Sequence, residues 1–382
     1  MVDARDFRDK TAIVGVGTTD FRALYRDLDP ERSAYDLGIQ AFKAALDDAG
    51  LKKEDIDGLL VSRIPSYGRT ATMLGLPNLK NVNVTEGGGR QSGLTLQIAA
   101  NWVYSGLANY VACMYGNNGR SVGATYGGGE AEGAGSYGGF FGMTSPGAEL
   151  AMMWRRYQHK YGVGKEALAA ITIAHRKHAA FNPNAVMYGR PLSLEDYMNA
   201  RFIAEPLCLY DYCLINDGGV CFIVTSAERA KALKKPPVYI SGTATCSALD
   251  NFYAQEDLFE APLASIASRL YPAAGVTRKD IDFAEIYDNF TPTVAFGLEG
   301  YGFAPKGEVT GWVQGGRIEL GGELPIGTSG AHTSESYMQG WALHVETVRQ
   351  LRGECGERQV KGAEIGQYIC TAPISVSHIF RR

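Results

Sequence analysis

Residues 49–57 read AGLKKEDID, and residues 274–282 read AGVTRKDID. The two phrases lie 225 positions apart, and the same offset lays Ile13-Val14-Gly15-Val16-Gly17-Thr18 over Val238-Tyr239-Ile240-Ser241-Gly242-Thr243 without a gap. Two matches in one register identify an internal duplication. In each copy a β-rich strand precedes a helix, and the first helix carries Ala34, Leu37, Ala41 and Ala45 on one face. An acidic turn then leads into a second apolar strand, Gly58–Val61 in one copy and Phe283–Ile286 in the other. Strands alternating with helices at these lengths give α/β layers, and a duplicated unit predicts two similar halves packed together.

The copies are separated by a segment with no counterpart in the second. The organisation expected is a first half of residues 1–115 and 206–232, an insert of 116–205, and a second half of 233–382. The insert contains GATYGGGEAEGAGSYGGFFG (123–142), too glycine-rich for regular structure and without the GK[ST] ending of a phosphate loop. It reads as a surface loop, or alternatively as a mobile cover over a substrate tunnel. A helix is predicted around AELAMMWRRYQHKYG (148–162), followed by a basic stretch, AHRKHAAFNPN (174–184). Arg155, Arg156, Arg176, Lys177 and His178 read as exposed charges, with phosphate contact the alternative. The early GVGTTD is not a dinucleotide fingerprint, because Asp20 stands where the third glycine belongs.

With 382 residues, 45% hydrophobic and 20% charged, the chain can fill a sizeable core. A net charge of −4 and the lack of any Lys/Arg block argue against nucleic acid as a partner. Charged residues occupy the N-terminus where a signal peptide is apolar, and no stretch is long and apolar enough to span a membrane, so a cytoplasmic protein is expected. The seven cysteines are odd in number, scattered and without CxxC, which fits reduced thiols. Neither they nor the six histidines show metal-ligand spacing, so no metal is expected.

The phrases IVGVGTTDF (13–21), KHAAFNPNA (177–185), YGRPLSLEDYMNARFIAEPLCLYDYC (188–213), NDGGVCFIVTSAERA (216–230) and ICTAPISVSHIF (369–380) together resemble the thiolase superfamily, in its sterol-carrier-protein-type branch. The resemblance covers essentially the whole chain and implies a five-layer αβαβα core that forms a homodimer. Thiolases place a nucleophilic cysteine at a helix start, where amide dipoles lower a thiol's pKa. Matching VTEGGGRQSGLTLQIAANWVYSGLANY (84–110) through its GLAN ending puts Gly89 at that place, and no cysteine precedes Cys113. Where thiolases carry Asn-Glu-Ala-Phe, and the sterol-carrier branch His-Asp-Cys-Phe, this chain reads Tyr287-Asp288-Asn289-Phe290. The GGxxxxGHP motif has become SGAHTSESYMQG (329–340), with Tyr337 at the histidine position. His332 takes that role only in a shifted alignment and stands as a candidate substrate-binding residue. Cys370 aligns with the second thiolase cysteine and is expected to line the site.

Cysteine replaced by glycine, with tyrosine at both histidine-type positions, is similar to the steroid side-chain-cleaving aldolases. That resemblance implies a retro-aldol cleavage of a steroid side-chain β-hydroxyacyl-CoA to a ketosteroid and propionyl-CoA or another short acyl-CoA. The chemistry needs a base for the β-hydroxyl and donors for the thioester enolate, but no covalent intermediate. Tyr337 is expected to handle the hydroxyl proton with Tyr287 assisting, the reverse being the alternative. Gly88 and Gly89 are expected to open backbone N–H groups to the thioester oxygen. No cofactor is expected on this chain, coenzyme A being part of the substrate. The resemblance also implies a partner with a zinc ribbon and an OB-fold. The competing readings are an acyl-CoA acyltransferase or thiolase, and a non-catalytic thiolase-like subunit.

Overall fold

The computed structural model describes residues 4–85, 91–124, 143, 145–247, 256–371 and 374–382. The repeated phrase has the same structural meaning in both copies. Gly50 and Gly275 end the helices Ala34–Ala49 and Glu260–Ala274 in the left-handed conformation, at φ 71° and 68°. That conformation favours glycine, which has no Cβ to clash. Asp55 and Asp280 then close a single 3-10 turn by accepting from the Lys52 and Thr277 amides. The last acid of each phrase reaches sideways to the next strand. Asp57 accepts from the amides of Asn109 and Tyr110, and Asp282 from those of Glu364 and Ile365. The repeat therefore encodes a helix stop, a turn and a brace between neighbouring strands.

The strands are β1 (Thr11–Thr18), β2 (Gly58–Ser62), β3 (Asn81–Val84), β4 (Tyr110–Asn117), a small hairpin of β5 (Phe202–Ala204) and β6 (Leu207–Cys208), β7 (Gly218–Ser226), β8 (Val238–Ser247), β9 (Phe283–Ile286), β10 (Ile365–Cys370) and β11 (Ile374–Arg381). The main sheet runs β3-β2-β4-β7-β1-β8-β11-β10-β9. From the centre outward, each half is ordered first strand, last strand, third, second, with β3 an addition at one edge. The seam is a short antiparallel contact in which Ile13 faces Val238, its equivalent under the 225-residue offset. Gly17 explains why the first half packs tightly, since a Cβ there would stand 2.2 Å from the Ala41 carbonyl oxygen.

Helices Gln91–Tyr104 and Trp341–Arg352 lie between the two sheet halves. Gly93 abuts Val376 and His378 of β11, while the His344 ring lies 5.6 Å from Phe222 of β7 and 4.0 Å from Tyr368 of β10. Helices Ala34–Ala49 and Glu260–Ala274 cover the outer faces. The layering is thus helix, sheet, central helices, sheet, helix, as expected.

Residues 118–217 separate β4 from β7 and contain helices Pro146–Tyr161, Ala169–Ala179 and Leu194–Asn199 and the β5–β6 hairpin. The first matches the helix read from 148–162. The basic stretch needs correction. Arg155 and Lys177 are exposed and paired with Glu205 and Glu319, but Arg176 and His178 are buried. Arg176 turns toward Ser334 in the turn that carries Tyr337, and His178 packs against Gly327 and Leu320. Most of the glycine-rich stretch, 125–142, lies outside the described residues. No helix among the described residues is long and apolar enough to cross a membrane.

Candidate active site

Two chain segments from the second half converge at the ends of the parallel strands β9 and β10. Tyr287 follows β9, its amide donating to the Ile369 carbonyl at 2.7 Å. Tyr337 follows a π-turn, Ala331–Glu335, and its amide donates to Asn216 Oδ1 at 2.7 Å. The backbone around this turn is unusual, with Ala331 at φ 51°, Gln339 at φ 47° and Gly340 at φ 85°. Non-glycine residues in that region cost about 1–3 kcal/mol each and persist where the surroundings over-determine them. A side chain at Gly340 would collide with Ser92 Oγ and Tyr368 Oη, each 2.5 Å from its Cβ.

This turn brings the two phenols together, with Tyr287 Oη 3.0 Å from Tyr337 Oη. Tyr287 is 2% exposed and Tyr337 9% exposed. Burial, and then the neighbouring Tyr337 oxygen, push the Tyr287 phenol well above its usual pKa. Tyr287 therefore stays protonated. Tyr337 lines a cleft of about 530 Å³, whose wall includes Thr333, Asn289 and Phe290 from the core and Arg120, Arg176, Tyr210, Tyr212 and Cys213 from the insert.

Behind the phenols is a buried anion. Asp288 accepts from the His332 amide at 2.8 Å and from the Thr333 amide and hydroxyl at 3.2 and 3.1 Å. Its oxygens also lie 3.0 Å from His332 Nδ1 and 3.1 Å from His175 Nδ1. Burial pushes the Asp288 carboxyl up, but the two imidazoles outweigh it and hold the group well below the usual carboxylate range. The Gly340 amide donates to His332 Nε2 at 3.0 Å, which leaves the ring proton on Nδ1, facing Asp288. The His332 ring then stands edge-on to Tyr287 and Tyr337, at centroid distances of 4.7 and 5.3 Å.

These positions revise two expectations. His332 is fully buried with Nε2 occupied and Nδ1 turned to Asp288, so it supports the tyrosines from behind and does not line the cleft. Cys370 ends β10, fully buried near Tyr287 and Tyr368, also behind the phenols. Gly88 and Gly89 lie outside the described residues; the helix that follows them begins at Gln91. Asp288, His175 and Asn216 belong to the site without having been assigned roles from sequence, and Arg176, read there as an exposed charge, belongs to it as well. Asp288 stood inside the Tyr-Asp-Asn-Phe phrase, and His175 and Arg176 inside the basic stretch. Among the described residues no cluster of three or more His, Cys, Asp or Glu side chains forms a metal site.

A duplicated layered α/β core with its cleft at the strand ends defines the thiolase class of fold, and comparison with known proteins narrows it. Residues 244–379 match the "Thiolase C-terminal domain-like" family model. The chain is 38% identical over 359 residues to the steroid side-chain-cleaving aldolase of Thermomonospora curvata, covering 90% of each. It is also 38% identical over 360 residues to the 17-hydroxy-3-oxo-4-pregnene-20-carboxyl-CoA lyase of Mycobacterium tuberculosis, covering 90% of this chain and 92% of that one. A solved structure, the Ltp2-ChsH2(DUF35) aldolase, superposes with a TM-score of 0.89 at 34% identity over 98% of both chains. The chain belongs to the thiolase superfamily, in the branch of the steroid side-chain-cleaving aldolases.

Proposed function

We propose that this protein is a lyase that cleaves the Cα–Cβ bond of a steroid side-chain β-hydroxyacyl-CoA, giving a ketosteroid and a short acyl-CoA such as propionyl-CoA. The observation that carries the reading is the phenol pair, Tyr337 at the cleft and Tyr287 hydrogen-bonded beneath it at 3.0 Å. Tyr337, as its phenolate, accepts the β-hydroxyl proton and becomes a neutral phenol as the Cα–Cβ electrons move onto the thioester as an enolate, leaving a ketone. Tyr287, held protonated by burial, donates to the Tyr337 oxygen and lowers the cost of charge on it. The proton returns to Cα and completes the short acyl-CoA. The reverse assignment is disfavoured because Tyr287 is the more enclosed phenol and burial opposes its ionisation.

A thiolase-type acyl transfer needs a thiolate. The cysteine of the cleft, Cys213, has its thiol pushed up by burial and by Asp288 nearby, the opposite of an activated nucleophile. The retro-aldol path uses no cofactor beyond the coenzyme A of the substrate. We further propose that the chain works as a homodimer with a zinc-ribbon/OB-fold partner protein, since the similar solved aldolase is named for two components. The test is incubation with a panel of steroid β-hydroxyacyl-CoAs, with and without such a partner, followed by mass spectrometry. Ketosteroid and propionyl-CoA are expected. Condensation products, or acyl groups transferred to added CoA, would restore the acyltransferase reading.

A further inference from the structure

Charge in the cleft is unbalanced. Arg120 and Arg176 both line it, and among the described residues none of its wall residues is an aspartate or glutamate. Among the described residues neither guanidinium forms an ion pair. Arg120 lies over the Tyr25 ring at 3.8 Å, and its Nε is buried without a hydrogen-bond partner. Arg176 is only 7% exposed. Its Nε donates to Ser334 Oγ at 3.1 Å, its Nη1 makes a long 3.5 Å contact with the Arg190 carbonyl, and the Tyr210 ring lies 5.8 Å away. A buried cation without a counter-charge is costly, so such a group signals an anion that arrives with a ligand or forms during a reaction.

The position of Arg176 decides which anion. Ser334 stands three residues before Tyr337 in the turn that carries it, and both Arg176 and Tyr337 face the same 530 Å³ cleft. A space of that volume is about 8 Å across, at the scale of one small-ligand site. The phosphates of a CoA ester are separated from the thioester by the whole pantetheine arm, so a cleft of this size does not hold both. The negative charge that belongs at this place is the one the reaction moves, from the Tyr337 phenolate to the thioester enolate.

We infer that Arg176 is the cation that stabilises the Tyr337 phenolate before proton transfer and the thioester enolate as it forms. The inference rests on the retro-aldol reading above and adds to it the charge partner that reading lacks. Burial holds the Arg176 pKa below its usual value without discharging it, as expected for a guanidinium waiting for a negative group. The other titratable groups facing Tyr337 do not supply this charge. Tyr287 and Cys213 are kept neutral by burial, and the imidazole of His332 accepts the Gly340 amide at Nε2 and lies behind the phenols, outside the cleft.

The test compares wild type, R176K and R176M over a full pH range, with kcat and KM determined separately. Removing the charge in R176M is expected to lower kcat by about 100-fold or more, the scale of losing one electrostatic stabiliser of an oxyanion, with a small change in KM. The acid limb of kcat/KM should move up by about one pH unit, because the base loses a nearby cation. R176K keeps a cation and should retain the wild-type acid limb, with kcat within about 10-fold. A rise in KM at constant kcat would overturn the inference and assign Arg176 to the distant phosphates. Unchanged kinetics in R176M would overturn it as well. Melting curves separate misfolding from lost chemistry. If R176M fails to fold, R176K alone decides, an acid limb displaced by a unit or more being contrary to the inference. If wild-type protein cleaves no β-hydroxyacyl-CoA, the functional reading fails first, which distinguishes the two failures.

Discussion

Replacing Tyr287 by Phe isolates the phenol–phenol hydrogen bond with little other disturbance. The ring fills the same space, its contact with His332 is kept, and the lost atom is one oxygen whose partner is Tyr337 Oη at 3.0 Å. Between two neutral phenols a hydrogen bond contributes about 1 kcal/mol to folding. In the form that takes the proton the acceptor is the Tyr337 phenolate, and a bond to a charged group contributes about 1.5–3 kcal/mol. The difference appears in kcat. The charged bond exceeds the neutral one by about 0.5–2 kcal/mol, so at about 1.4 kcal/mol per factor of ten Tyr287→Phe should slow cleavage by roughly 2- to 30-fold while KM stays near its original value. The same loss raises the pKa of Tyr337 by up to about 1.5 units, so the acid limb of kcat/KM should move to higher pH. Steady-state assays of ketone formation across pH would measure both effects. A full-speed Tyr287→Phe enzyme with an unmoved acid limb would refute the donor role. Loss confined to KM would place Tyr287 in substrate binding instead.

Tyr337→Phe removes the base itself and should lower kcat by about 100- to 10,000-fold, the usual contribution of a positioned general base, with binding of a substrate analogue preserved in titration calorimetry. In the buried cluster behind the turn, the Thr328 hydroxyl lies 2.8 Å from Glu285 and 2.7 Å from Glu346 and accepts from Gln350, so its single proton serves one carboxylate and the other carboxyl must carry its own. Arg358 grips Glu346, which assigns the proton to Glu285. Glu285→Gln should therefore change stability by less than about 1.5 kcal/mol, whereas Glu346→Gln strands the Arg358 cation and should cost about 3–5 kcal/mol in denaturant unfolding. Buried His178 donates from Nδ1 to the Gly327 carbonyl and accepts the Leu320 amide at Nε2, and burial lowers its pKa to about 4. Because the folded state resists protonation, stability present above pH about 6.5 should decline by up to about 1.4 kcal/mol per unit as pH falls toward 4. His178→Gln should flatten that part of the stability curve, and an unchanged slope would contradict this assignment.

The halves were legible because their signals are local. The Ala-Gly pairs at 49–50 and 274–275 mark helix ends, and the acids that follow cap turns and brace strands within the same unit. Tyr287 and Tyr337 were found through their places in motifs. What joins them was hidden, because their oxygens meet across fifty residues through a π-turn held by Gly340 and Asn216. The Asp288 anion is likewise assembled from Thr333, His332 and a helix of the insert, at His175. No periodicity brings such distant residues together. His332 was misplaced for a related reason. Its distance from Tyr337 along the chain gives no sign that the turn folds its ring behind the phenols. Arg176 was read as a solvated charge because a basic run on a helix resembles an exposed face, and its burial follows from packing against the Ser334 turn.

Cleavage in D₂O tests the central claim most directly, with the short acyl-CoA analysed by mass spectrometry and free CoA omitted. Protonation of an enolate by an exchangeable phenol should give propionyl-CoA carrying one deuterium at Cα, formed without added CoA and without any acyl group on the protein. Cleavage that depends on free CoA and leaves an acyl adduct on Cys213 or another cysteine would contradict it.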